Sequence, residues 1–412
     1  MNLPGVGFQR IANQVGTVAA RPAAWIPLLL VMCLATAFGA ASAGEAPAPP
    51  SRAAVEQLIG KAQAWLLAQS QPEGAIGSGK TFAVGITAFA VIALRQQPQR
   101  LPDEHPALGK SVAFLAGFRQ PDGGVYDRSE GLAVYGTSLA LQAATLLPDG
   151  HRARFDQPAM QRYLFGQQNT EPGNLGQGGI GYGDQGKGFE DLSNTGYALQ
   201  ALRASGVPAS DPRMQAAVAF LERCQDLSAV NHQPWVGKTS GDNGAGSGGG
   251  VYGPQEAARS WSKGDETQAG RWTPSGTMTY ELISSYLLLD LKPDDQRVKA
   301  ARQWLARNYG FDANPGMGTG KERQGLFHSY ALASTTYDLL ASATVDLPDG
   351  RQADWRSDLF QALSKRAQSV TLADGSTGAF WINDAPRWAE GMPALCTAYA
   401  LRSLKAVARS LP

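Results

Sequence analysis

One two-helix module recurs about six times between Ala53 and the C-terminus, and that recurrence constrains the chain before any residue propensity is consulted. The first copy reads Ala64-Trp65-Leu66-Leu67-Ala68-Gln69-Ser70-Gln71-Pro72-Glu73-Gly74, then Thr87-Ala88-Phe89-Ala90-Val91-Ile92-Ala93-Leu94. The second pairs Ala113-Phe114-Leu115 and Gln120-Pro121-Asp122-Gly123 with Thr137-Ser138-Leu139-Ala140-Leu141. The third pairs Tyr163-Leu164 and Gln167-Gln168 with Thr195-Gly196-Tyr197-Ala198-Leu199. Copies four to six start at Phe220-Leu221, Trp304-Leu305 and Leu359 to Leu363, with second helices beginning near Thr277, His328 and Thr397. Trp65 and Phe114 stand 49 residues apart and Phe220 and Trp304 stand 84 apart, so the later copies carry loop insertions. A unit of this size cannot bury its apolar face alone, and its copies must stack.

The two helices of a pair differ in character. In Ser51 to Ala68, the residues Val55, Leu58, Ile59, Ala62, Trp65 and Leu66 share one face, with charged residues elsewhere. Its partner, Phe82 to Leu94, is apolar nearly all round, yet at 13 residues it is too short to span a bilayer. Half-exposed helices alternating with covered ones imply an inner ring wrapped by an outer one. An open stack needs polar capping repeats. Here the last copy ends on Leu395-Cys396-Thr397-Ala398-Tyr399-Ala400-Leu401, as apolar as the middle ones, so the spacing predicts a closed ring with the last repeat against the first. Turns such as Pro121-Asp122-Gly123-Gly124 join the helices.

Residues 1–43 read as an export signal, with Arg10 and Arg21 before the apolar run Trp25 to Ala40 and an Ala41-Ser42-Ala43 cleavage site. Residues 44–52 read as a linker and 53–412 as one domain. The protein is therefore expected to be periplasmic or extracellular, with no stable membrane span after cleavage. Without Arg10 and Arg21 the chain has 34 basic and 35 acidic residues, which argues against nucleic-acid binding. Two cysteines remain, Cys224 and Cys396, and a two-ring arrangement places them too far apart to pair.

The aromatic-Leu, Gln-x-x-Gly and Thr-x-x-Ala-Leu elements resemble the prenyltransferase and squalene-oxidase repeat of the terpenoid cyclase and protein prenyltransferase superfamily. Asp312-Ala313-Asn314-Pro315-Gly316-Met317-Gly318, Leu326-Phe327-His328-Ser329-Tyr330 and Asn383…Arg387-Trp388-Ala389-Glu390-Gly391-Met392-Pro393 are similar to segments of exported bacterial squalene-cyclase-like proteins. The resemblance implies an all-α fold, an (α/α)6 toroid, with a central cavity ringed by inner-helix N-termini.

The chemistry of that superfamily is not written in this chain. Cyclases use an Asp-x-Asp-Asp acid, whereas Asp294-Asp295 follow Lys292-Pro293 in a loop before an outer helix. Prenyltransferases use an Asp-x-Cys pair and a His for zinc, and Cys224 instead precedes Asp226. His328 and Cys396 make too few ligands for a zinc site. No metal and no cofactor is expected. Gly74-Ala75-Ile76-Gly77-Ser78-Gly79-Lys80-Thr81 matches the phosphate-loop pattern, but a helix precedes it where a strand is required, and the segment aligns with an ordinary turn.

Glu130, Glu190, Asp191, Glu281, His328 and Glu390 fall near inner-helix starts, where capping is the ordinary role of an acid. Aligning Ser329-Tyr330-Ala331-Leu332 with Gly196-Tyr197-Ala198-Leu199 puts His328 where other repeats carry Thr. Glu390 is less needed as a cap, because Pro393 suits the first turn of the helix that follows it. Glu390 and His328 are thus the acid–base candidates. Trp388, Phe327, Tyr330, Trp381, Tyr280 and Tyr135 are the candidates for an aromatic ligand wall. In the Gly-rich insertion Val236 to Trp272, Tyr252 or Trp261 could serve a lid. The expected function is binding of an apolar or isoprenoid-like molecule or an envelope partner. The alternative is a cyclase-like isomerase or lyase acting on such a substrate.

Overall fold

Ser51 opens the first helix: its Oγ accepts the Ala54 N–H at 3.2 Å and caps helix α1 (Arg52–Ala68). The computed structural model describes residues 49–77, 81–183, 189–238, 244–254 and 273–411, all within one unit, Pro47–Pro412. Along α1, Val55, Ile59, Ala62, Trp65 and Leu66 are buried, the face expected from their spacing. Helix α2 (Ala83–Arg95) is buried at every position except Gly85.

Five more pairs follow: α3 (Pro106–Ala116) and α4 (Ala133–Thr145), α5 (Gln157–Gly166) and α6 (Leu192–Ala204), α7 (Pro212–Arg223) and α8 (Gly276–Leu288), α9 (Gln296–Arg307) and α10 (Leu326–Leu339), and α11 (Trp355–Arg366) and α12 (Pro393–Ser410). The even-numbered helices pack in the order α2, α4, α6, α8, α10, α12 and back to α2, which closes an inner ring. Odd-numbered helices cover it, each begun by a side-chain cap. Asp156, Asp211, Asp295 and Asp354 do this for α5, α7, α9 and α11.

Closure is direct. Gln97 Nε2, just past α2, donates to Leu401 O of α12 at 3.1 Å, and Phe89 meets Tyr399 edge-on at 4.9 Å between centroids. Arg52 at the start of α1 donates to Leu411 O just past α12. The first and last repeats touch, as the apolar end of the last copy requires.

The repeat motif now has a physical account. In the first two turns the motif glutamine folds back, Gln71 Nε2 to Gly77 O at 2.8 Å and Gln120 Nε2 to Tyr126 O at 2.9 Å. Gly74 and Gly123 take φ of +102° and +93° and press on the next outer helix. A methyl group there would lie 2.2 Å from Lys110 O or 2.8 Å from Ala159 O, so both the angle and the contact select glycine. The motif threonine then ties the turn inward. Thr87, Thr137, Thr195, Thr279 and Thr397 each accept a loop amide, from Ile76, Val125, Ile180, Gly250 and Trp381, at 2.9–3.2 Å.

The fifth pair departs from this scheme and corrects the alignment. Tyr330, not His328, occupies the tethering position, and its hydroxyl donates to Phe311 O. Helix α10 starts from a left-handed Gly325 (φ +69°) five residues before Tyr330, the same offset as Phe82 to Thr87. His328 lies two residues earlier.

Two short hairpins interrupt the helices: β1 (Val345–Asp346) with β2 (Gln352–Ala353), and β3 (Gln368–Thr371) with β4 (Thr377–Phe380). β4 packs on α1, with Phe380 stacked on Trp65 at 5.0 Å. Cys224 and Cys396 are buried and unpaired. Among the described residues no helix is long and apolar enough to cross a membrane. The segment 1–43, Lys80 and Trp261 lie outside the described residues. The described part of the phosphate-loop pattern is the turn after α1, with Gly74 N donating to Gln71 O at 3.0 Å.

Candidate functional site: the aromatic interior of the ring

Position relative to the tether sorts the inner-helix side chains into layers. Two residues before it lie Tyr135, Ser193, Thr277 and His328, one layer at the end where the inner helices begin. Two residues after it lie Phe89, Tyr197, Glu281 and Tyr399, about one turn deeper. Tyr135 and His328 are partly exposed, whereas Ser193 and Thr277 of the same layer and Tyr197 and Tyr399 below it are buried, so solvent reaches the first layer at Tyr135 and His328.

The rings form a continuous series across the interior. Tyr182 meets Tyr135 at 5.9 Å, Tyr135 meets Tyr197 at 5.2 Å, and Tyr197 meets His328 at 5.9 Å. His328 stacks on Tyr399 at 5.3 Å, which meets Phe89. Edge-on and stacked packing at these separations is favourable beyond burial alone. The wide central cavity implied by resemblance is therefore filled at this level. Helices α6 and α12 stand opposite each other in the ring, yet Arg402 Nη2 donates to Gln200 Oε1 at 2.7 Å and Gln200 Nε2 donates to Glu281 Oε1 at 3.1 Å.

The tyrosine hydroxyls are partnered within the chain. Tyr135 OH donates to Ser193 Oγ at 2.8 Å, and Tyr182 and Tyr252 share a bond of 2.7 Å. Tyr252 belongs to the Gly-rich insertion and also bonds Asp191, so that insertion reaches the interior through this side chain. Tyr197 bonds Tyr399 and lies 3.3 Å from His328 Nε2. Burial, with the nearby Arg402 cation, holds His328 down to about 3, so its ring is neutral at neutral pH.

Glu390 has a definite structural role. Its Oε1 accepts the His328 backbone N–H at 2.7 Å and its Oε2 accepts Asn383 Nδ2 at 2.5 Å. It therefore caps α10 from a neighbouring segment, which corrects the expectation that it is spared capping. Burial pushes it up to about 7 against those bonds. Asp191 caps its own helix α6 through the Asn194 amide at 2.8 Å and is likewise raised by burial to about 7. Glu130 accepts the Ala83 amide of α2 at 3.3 Å, another cap. Glu281 lies in the second turn of α8 and caps nothing. Burial raises it to about 8, and its Oε2 has no hydrogen-bond partner. Thr277 Oγ1 and Ser285 Oγ on the same helix are also unpartnered, each costing about 1–3 kcal/mol.

Of the six aromatic candidates, the structure brings Tyr135 alone into the ring series. Trp381 is fully buried with Nε1 donating to Leu363 O at 2.8 Å. Tyr280 packs on Tyr337, which stacks on Trp355 of α11. Phe327 packs on Tyr330, and Tyr330 is the tether. These four are core. Trp388 is 37 % exposed, lies over Gly325 at the start of α10, and carries Arg387 4.9 Å from its ring. Trp388 and Ala389 both have positive φ, +55° and +64°, a strained pair at the rim. The two groups weighed for zinc are engaged separately: Cys396 Sγ donates to Glu390 O at 3.0 Å, and His328 Nε2 faces Tyr197. Sequence reading missed the interior roles of Tyr197, Tyr399, Gln200 and Arg402. The available signal was their paired offsets from the tether, two residues past it for Tyr197 and Tyr399 and five for Gln200 and Arg402.

The chain is an all-α, closed toroid of six helix pairs, the α/α-toroid fold. Among solved structures it is similar to the type II terpene cyclase MstE from Scytonema, with TM-score 0.50 and 15% identity over 88% of this chain and 100% of that one. A variant of that cyclase in complex with its product, merosterolic acid A, gives TM-score 0.51 and 16% identity over 87% and 98%. A D-mannose isomerase gives TM-score 0.53 and 13% identity over 88% and 98%. At these identities the likeness is one of fold. No protein-family model and no curated protein sequence matches the chain.

Proposed function

We propose that this is an exported binding toroid, holding an apolar or isoprenoid-like molecule, or an apolar part of an envelope component, where its inner helices begin. The observation that carries this reading is the ring series from Tyr182 to Phe89, open to solvent in its first layer and closed in its second. Such a wall suits a flat or extended apolar ligand. Three findings speak against transplanting cyclase chemistry. Asp295 caps α9 and bonds Arg297 on the outer layer. Glu390 is a cap, and His328 is neutral. Native mass spectrometry of protein purified from its own host tests the reading. A retained apolar molecule that is lost in Tyr135→Ala is expected, and a ligand-free protein that also fails to bind farnesol overturns it.

A second reading, an isomerase- or lyase-like enzyme, draws on the Tyr399–Tyr197–His328 hydrogen-bond chain. A hydroxyl-to-imidazole chain can move a proton to the solvent-reached first layer. Turnover abolished by both His328→Gln and Tyr197→Phe would favour it over simple binding.

A further inference from the structure

Helix α8 carries three oxygens in one stripe: Thr277 Oγ1, Glu281 Oε2 and Ser285 Oγ, at positions i, i+4 and i+8. The three side chains are 6%, 0% and 0% exposed, and none of these oxygens has a hydrogen-bond partner among the described residues. A buried polar atom without a partner is exceptional in a folded protein. Other side-chain atoms of the described residues are also buried without a hydrogen-bond partner, Ser138 and Gln142 of α4 among them, but α8 alone carries three, and it carries them on one face. The stripe points inward. Glu281 Oε1 bonds Gln200 of α6, and a methyl group on Gly196 would lie 1.8 Å from that oxygen.

We propose that this stripe is the hydrogen-bonding wall of a site for an uncharged, polyhydroxylated group, the sugar-like end of the molecule held in the ring. The inference rests on the reading of the ring interior as a binding site. Charge favours an uncharged group: Glu281, raised to about 8 by burial, keeps its proton at neutral pH and leaves the stripe neutral, while Arg402, linked to it through Gln200, opposes an added cation. Chemistry selects hydroxyls, because a hydroxyl both donates and accepts and so matches Thr277, Ser285 and either protonation state of Glu281. Spacing agrees, since i to i+4 advances about 6 Å along the axis, comparable to the distance between hydroxyls on opposite sides of a sugar ring. In the present arrangement the stripe is shut off from solvent. The ligand enters from the first layer, past Tyr135 and His328, and displaces the side chains that close it off.

Three probe classes separate the sources of such a group: glucose, galactose and mannose as free sugars, n-octyl β-D-glucopyranoside below its micelle concentration, and octan-1-ol. Ligand-observed NMR with the full-length exported protein is expected to show saturable binding of the glucoside or a free sugar. Glu281→Leu and Thr277→Val are each expected to weaken that binding about tenfold, the loss of one good hydrogen bond. Glu281→Gln keeps a hydrogen-bonding amide and is expected to retain it, which controls for a folding defect in the leucine variant. Binding of octan-1-ol alone, or sugar binding indifferent to Thr277→Val and Glu281→Leu, overturns this inference and leaves the apolar-site reading standing. Free-sugar binding without octan-1-ol binding supports the stripe and removes the apolar reading. Binding of no probe overturns both.

Discussion

The Glu390 carboxylate and the His328 main-chain amide lie 2.7 Å apart, so the residue singled out as an acid holds the histidine's helix rather than its ring. Glu390→Ala is expected to destabilise the fold by roughly 1–3 kcal/mol, because the buried first-turn amides of α10 lose their acceptor. Glu390→Gln, which keeps one carbonyl oxygen, should lose clearly less. Urea unfolding of the two variants checks this, and equal loss in both would remove the capping role.

Stability should fall as pH rises from about 4.5 to about 8. Burial raises Asp191 and Glu390 to about 7 and Glu281 to about 8 in the folded protein, while the unfolded chain ionises near ordinary carboxyl values. Inside this window these three acids bind more protons in the folded state than in the unfolded one, and they outnumber the opposing group, His328, whose depressed value reduces the slope below about pH 6.5. The stabilisation is complete below the unfolded values and disappears as pH passes through the folded ones, at up to about 1.4 kcal/mol per pH unit for each group. Surface pairs such as Asp211–Arg213, with Asp211 held at about 2 by its partner, titrate below the window. Melting temperatures at pH 5, 6, 7 and 8 should decline, and Glu281→Gln should flatten the decline.

Gly196→Ala should cost at least about 1–3 kcal/mol, since its methyl group would overlap Glu281 Oε1. Combining it with Glu281→Ala should recover part of that loss. Strict additivity in the double-mutant cycle would show that α6 and α8 do not meet there.

Ala389→Gly should stabilise the protein by up to about 1 kcal/mol, because the residue already holds φ at +64°. Loss of stability on this substitution would show that other contacts outweigh the strain.

Under the proposal of export, the secreted species should have an intact mass beginning at Gly44 and two thiols that react only after denaturation, since Cys224 and Cys396 are buried and unpaired. A membrane-bound species retaining Met1 to Ala43 would make the leader an anchor instead.

The repeated glutamine, glycine and threonine were legible in sequence because each does the same local job in several copies: folding back a turn, admitting a neighbouring helix, tying the turn inward. The number of pairs and the closure followed from them. The interior was harder to read. In the fifth pair the alignment is two residues out: Tyr330 replaces threonine as the tether, five residues after the helix cap, and His328 lies before it. Aromatic type alone did not separate Tyr135, which joins the ring series, from Trp381, which is core, because facing depends on helix rotation. The hairpin β3–β4 escaped notice because it is short, and its first strand is exposed at every position.

The contact between Arg52 and Leu411 places the start of the first helix of the ring beside the end of its last. A ring whose first and last helices are joined in this way has no structurally privileged first repeat. A short peptide joining the ends and a cut at the exposed Asp374-Gly375 turn would give a circular permutant in which a different pair is translated first. The order of synthesis and the order of packing around the ring can thus be separated in one molecule.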